Sequence, residues 1–158
     1  EFVRWGDAQV GPKPIPKHAN DRTPERRLKI GYVSPDFNRH TSRFYFEPLF
    51  ENHDRSTCEL FAYSNVGQAD DFTERFRTLF DHWRDIRPMT DEAAADLIRR
   101  DGIDILVDAC NHMRDDRLGV FALKPSPVQV TWLGAAWTTG PGVCCIRCIQ
   151  TPVYRWRS

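Results

Sequence analysis

Apolar residues along this chain fall into five short runs, separated by four stretches in which they recur at helical spacing. The runs at residues 28–34, 58–65, 82–86, 103–109 and 128–133 predict strands. The stretches at 43–52, 70–80, 91–101 and 117–123 predict helices. The third helix carries its own start and stop signals. Thr90 can cap it, Asp91 and Glu92 fill its first turn, and Gly102 lies just past its end. The run ILVDA is apolar on consecutive positions, as a parallel strand covered on both faces should be. Strand and helix in strict alternation imply an α/β fold, a Rossmann-like parallel sheet with helices on both faces.

The two ends of the chain follow other rules. Residues 1–27 hold Pro12, Pro14, Pro16 and Pro24 with charges between them and no apolar period, the composition of a linker. Residues 28–140 form the folded unit, and residues 141–158 read as an irregular or frame-shifted tail without useful period. From Arg117 onward no Asp or Glu occurs, although arginines continue. The absence of an initiator Met suggests a piece of a longer protein.

At 158 residues the chain is the size of one ordinary domain, and its formal net charge is zero. No broad pull toward nucleic acid or an anionic membrane follows from such a balance. No apolar run reaches the length of a membrane span, and the first residues lack the pattern of a signal peptide. A reducing cytoplasm is therefore the expected setting. Cys58 and Cys110 sit within apolar runs and read as small core residues.

Chemistry concentrates beyond the first strand, where Ser34, Pro35, Asp36 and Asn38 break the apolar run and His40 follows. Loops past the carboxyl ends of such strands form the ligand crevice of an open α/β sheet. A histidine there, with its pKa near neutrality, can donate to a phosphate or accept a proton. Asp36 and Asp108 end two strands, which invites a phosphoacceptor reading around Mg²⁺, but no lysine follows the last strand and Asp36 has no acidic neighbour. Cys145 and Cys148 have the spacing of a zinc knuckle, without the second ligand pair that tetrahedral zinc needs. No Gly-x-Gly-x-x-Gly follows the first strand, so a dinucleotide cofactor has little support. Phe44, Tyr45, Phe46 and Phe50 read as a core stripe, Trp132 as core, and Trp137 as a loop aromatic open to stacking.

Three blocks carry a resemblance to a known family: RRLKIGYVSPDFNRH (26–40), DGIDILVDACNH (101–112), and RLGVFALKPSPVQVTWLG (117–134) followed by TTG (138–140). CELFAYSNV (58–66) and DHWRDI (81–86) add to it. In this order they resemble the catalytic region of the O-GlcNAc transferases, the SPINDLY-like glycosyltransferase family 41. The resemblance implies the amino-terminal half of a two-domain GT-B transferase, joined in the family to tetratricopeptide repeats. It implies transfer of N-acetylglucosamine from UDP-GlcNAc to protein Ser or Thr hydroxyls, with inversion and without a cofactor or metal. It implies His40 as the catalytic residue, and His112, Thr138, Thr139 and Gly140 as substrate contacts. Around these this chain departs from the family, with Asn111 and Met113 flanking His112 and Ala135, Ala136 and Trp137 preceding Thr138. The expected partners are protein acceptors and a sugar nucleotide. The alternative is a truncated, non-catalytic α/β module that binds a protein partner.

Overall fold

The computed structural model describes residues 17–110 and 113–133, and the backbone of 146–147. The expected elements follow in the expected order: β1 Leu28–Ser34, α1 Arg43–Glu51, β2 Cys58–Ser64, α2 Asp71–Leu79, β3 His82–Asp85, α3 Asp91–Asp101, β4 Ile105–Asp108, α4 Leu118–Ala122 and β5 Val128–Thr131. A further two-residue strand, β6 Ile146–Arg147, pairs with β5. The sheet order is β3-β2-β1-β4-β5-β6 and every pairing is parallel. This is the Rossmann order, whose direction of winding reverses between β1 and β4. All carboxyl ends therefore share one edge, and the crevice of such a sheet opens beyond β1 and β4.

Strand alternation splits the core in two. Tyr32, Leu60, Ala62 and Val107 face α1 and α2, whose Phe46, Phe50 and Phe76 are fully buried against them. Val33, Phe61, Tyr63 and Leu106 face α3 and α4, meeting Ala94, Ile98, Leu118 and Phe121. Burying each of these phenylalanines stabilises the fold by on the order of 2 kcal/mol. The helix ends are set as their residues dictate. Thr90 accepts the Ala93 N–H, Asp70 and Thr73 form a reciprocal capping box, and Gly102 closes α3 in the left-handed region at φ 69°.

The four-aromatic stripe of α1 is corrected by the structure. Phe46 and Phe50 are buried, but Phe44 and Tyr45 are 64% and 60% exposed. Successive helical residues turn by about 100°, so a face that buries 46 and 50 turns 44 and 45 outward.

Gly31 lies at the tightest point of the sheet. A Cβ there would come 2.8 Å from Tyr63 Cε2, 3.0 Å from Leu106 Cδ1 and 3.3 Å from Ile103 Cγ2. Side chains crowd it, where a neighbouring backbone is the usual reason for a strand glycine. Tyr63 has little room to yield, because its hydroxyl donates to Asp101 Oδ2 at 2.8 Å. Gly31→Ala is expected to lower unfolding free energy by about 1–3 kcal/mol, read from the urea midpoint. An unchanged midpoint would show that the face repacks freely.

At the opposite, amino edge, residues 20–29 are tied down through Asp104. Its carboxylate accepts from both terminal guanidinium nitrogens of Arg26 at 2.7 Å, the Lys29 N–H at 2.9 Å and Asn20 Nδ2 at 2.8 Å. Burial alone would raise its pKa, yet these donors hold the carboxyl below its usual value.

Candidate functional site

The site grows out of the loop between β1 and α1. Pro35 ends the strand, and the chain is then anchored by Phe37, which is fully buried. Its ring packs on Phe46, Phe76, Phe80 and Trp83 with centroids 5.5–5.9 Å apart. With Phe37 sunk into one core, the residues on either side of it stay at the edge of the sheet. Asp36 is held from behind, its N–H donating to Ser34 Oγ at 3.0 Å.

Asp36 and His40 meet across this turn. Asp36 Oδ2 lies 3.4 Å from His40 Nδ1, and the two side chains are 17% and 38% exposed. Ser42 joins them: its hydroxyl is in hydrogen-bond contact with His40 Nδ1 and donates to Asp36 Oδ2 at 3.4 Å. Burial pushes the Asp36 carboxyl above its ordinary value, His40 and the Ser42 hydroxyl pull it back, and Asp115 pushes it up again. The imidazole is thus supported on its Nδ1 side while the ring stays reachable from solvent.

Other polar groups line the same edge. Asp108, at the end of β4, is buried and accepts the Cys110 N–H at 3.1 Å and the Thr131 hydroxyl at 3.3 Å. Cys110 is buried, and its thiol is pushed up to about 12 by burial and by Asp108, Asp36 and Asp116. A thiol so protonated at neutral pH is not a nucleophile. At the end of β2, Asn65 holds the Asp115 carbonyl through Nδ2 at 2.8 Å. Arg117, 10% exposed, donates to Asn65 Oδ1, the Ile86 and Met89 carbonyls, and Asp91. Among the described residues no three His, Cys, Asp or Glu side chains gather as a metal-ligand set.

Of the residues expected from sequence, the structure therefore locates His40. His112, Thr138, Thr139 and Gly140 lie outside the described residues, as do Trp137 and the Cys145–Cys148 pair. Asp36 is His40's neighbour, a role its isolated position in the sequence did not disclose. Ser42 and Arg117 were not singled out at all. The four-residue spacing of Asp36 and His40 was the available signal.

The family description that matches is glycosyl transferase family 41, over residues 8–146. A Solanum lycopersicum protein named "Probable UDP-N-acetylglucosamine--peptide N-acetylglucosaminyltransferase SPINDLY" is 40% identical over 125 residues, covering 77% of this chain and 13% of its own. The Caenorhabditis elegans UDP-N-acetylglucosamine--peptide N-acetylglucosaminyltransferase is 36% identical over 117 residues, covering 73% and 10%. A solved mutant O-GlcNAc transferase of Thermobaculum terrenum superposes with a TM-score of 0.83 at 46% identity, covering 88% of this chain and 27% of that one. The chain thus spans about an eighth of the length of the curated relatives it matches.

Proposed function

We propose, from the premise that this chain belongs to glycosyl transferase family 41, that it supplies the amino-terminal, Rossmann-like half of a GT-B catalytic region. That region moves N-acetylglucosamine from UDP-GlcNAc to Ser or Thr hydroxyls of proteins. The observation that carries the reading is His40, reachable from solvent at the carboxyl edge of the sheet and supported on one ring nitrogen by Ser42 and Asp36. In this reading the neutral imidazole takes the proton of the acceptor hydroxyl while its oxygen bonds to the anomeric carbon. The bond from that carbon to the diphosphate breaks, and its electron pair leaves with UDP. Attack opposite the leaving group inverts the anomeric centre.

The printed names of the relatives support the donor and the peptide acceptor. UDP-GlcNAc is a substrate in this reading, and no cofactor is required. His112, Thr138, Thr139 and Gly140 are proposed substrate contacts on their motif positions alone. Tetratricopeptide repeats are the proposed neighbours in the whole protein, and the cytoplasm its proposed location. Two free, buried thiols, Cys58 and Cys110, suit a reducing compartment.

A UDP-release assay with UDP-GlcNAc and a Ser/Thr-bearing protein tests this. A polypeptide that continues these residues with the remainder of the family's catalytic region is expected to turn over, and the 158-residue chain alone is not. Turnover by the chain alone would overturn the half-site assignment. Silence from the longer polypeptide would favour the protein-binding module. Transfer from GDP-fucose instead would keep the family and overturn the donor.

A further inference from the structure

Ser42 occupies the N-cap position of α1, yet its side chain makes no cap hydrogen bond. A serine there ordinarily accepts an N–H from the first turn, which stabilises a helix by about 1 kcal/mol. Here the hydroxyl turns the other way, to His40 Nδ1 and Asp36 Oδ2. Given the proposed role of His40 as the proton acceptor, we infer that Ser42 is a positioning residue that holds the imidazole as its Nδ1–H tautomer, leaving the Nε2 lone pair for the acceptor hydroxyl.

The available protons fix the arrangement. A serine hydroxyl has one proton to donate and an oxygen that accepts. Donated to the Asp36 carboxylate at 3.4 Å, that proton leaves the oxygen free to accept from Nδ1–H. The reverse arrangement would set the serine lone pairs against the carboxylate, and the bare Nδ1 as well, which lies 3.4 Å from the same oxygen. The Ser42 backbone N–H, 3.3 Å from Nδ1, favours that reverse arrangement. That contact is neutral, whereas the Asp36 contact, no shorter at 3.4 Å, has a charged acceptor, and bonds to a charged acceptor are about twice as strong. The carboxylate therefore decides the tautomer, with Ser42 as the link between it and the ring.

The same geometry rules out a Ser-His-Asp hydrolase. There the serine and the aspartate must engage opposite ring nitrogens, whereas here both lie on Nδ1. In the transfer step the proton moves from the acceptor hydroxyl to Nε2, and the imidazolium so formed is stabilised by Asp36 through Ser42. The hydroxyl oxygen bonds to the anomeric carbon and the diphosphate departs with the electron pair.

Histidine ¹⁵N spectra of this chain test the tautomer without any turnover. The expected result for His40 is a protonated Nδ1 and a bare Nε2, with Ser42→Ala moving the proton toward Nε2 and Ser42→Thr restoring it. A bare Nδ1 in the unsubstituted chain overturns the inference. Kinetics in the longer polypeptide add a second reading: Ser42→Ala should lower kcat roughly tenfold, a part of the 10²–10⁴ that a general base supplies, with KM for UDP-GlcNAc unchanged. Full kcat in Ser42→Ala also overturns it. Should His40→Ala keep its rate, the base assignment fails by itself, separately from the tautomer result. Because the hydroxyl caps nothing, Ser42→Ala leaves the helix start intact, and recovery with threonine separates positioning from misfolding.

Discussion

His40→Ala is expected to lower kcat of the transferase by about 10²–10⁴ while leaving its fold intact. At about 1.36 kcal/mol per decade this is roughly 3–5 kcal/mol of transition-state stabilisation, more than any other single change at the site should remove. The fold survives because His40 does not anchor its own loop. Phe37 does so from inside the core, and the Ser34 hydroxyl holds Asp36 from behind. The ring's polar neighbours are Asp36 and Ser42, and it is 38% exposed, so little packing is lost with it. KM for UDP-GlcNAc should change little, since the lost interaction forms as the proton moves. The measurement is the rate of UDP release with a protein acceptor, beside a urea midpoint for the same variant. An unchanged midpoint with a hundredfold slower rate is the expected pair. A variant at full rate would remove His40 from the chemistry and leave the transferase reading on the family match alone.

Strand boundaries were legible wherever the apolar run ended on a strong breaker. β1 ends at Ser34 because Pro35 follows, and both ends agree with the sequence pattern. The apolar run at 103–109 predicts a longer β4 than the Ile105–Asp108 observed. Ile103 is apolar for another reason: its N–H closes onto the Ile98 carbonyl at the end of α3, and its side chain sits in the core rather than in a ladder. β6 contributes two residues, too few for any period to show.

The site was legible only in part, for reasons of distance. His40 could be found because strand ends and histidines are visible in a sequence. Its link to Asp36 depends on a turn that curls back over Phe37, and the burial of Phe37 is settled by helices that arrive later in the chain. Ser42 carried a misleading signal, since a serine before a helical run reads as a cap. Asn65 and Arg117 stand 52 positions apart and meet only because β2 and the segment before α4 end at the same edge.

Arg117 sets the second large expectation. Arg117→Met should lower the unfolding free energy by about 3 kcal/mol, the lower end of what breaking a buried ion pair costs. The guanidinium is 10% exposed and spends its donors on four acceptors from three parts of the chain. They are Asp91 Oδ1 at 2.8 Å, the Ile86 and Met89 carbonyls at 3.0 Å each, and Asn65 Oδ1 at 3.2 Å. Methionine fills similar volume but donates to none of them; the Ile86 carbonyl keeps the Met89 N–H at 3.0 Å, and each buried acceptor left unsatisfied costs on the order of 1–3 kcal/mol. Asp91 matters less than the rest, because it is 40% exposed and water can replace its partner. Asp91→Asn should therefore cost about 1 kcal/mol or less. Arg117→Lys should not rescue, since one ammonium cannot reproduce a planar fork that reaches Ile86, Met89 and Asn65 at once. Bare backbone at Gly119 is part of the design, for a side chain there would overlap the Asp91 carboxylate. The loss should also reach the site. Asn65 holds the Asp115 carbonyl, and the Asp115 carboxylate is one of the charges acting on Asp36. Urea midpoints of the three variants decide it: a wild-type midpoint for Arg117→Lys would reduce the fork to a point charge, and equal losses in Arg117→Met and Asp91→Asn would reduce it to one surface ion pair.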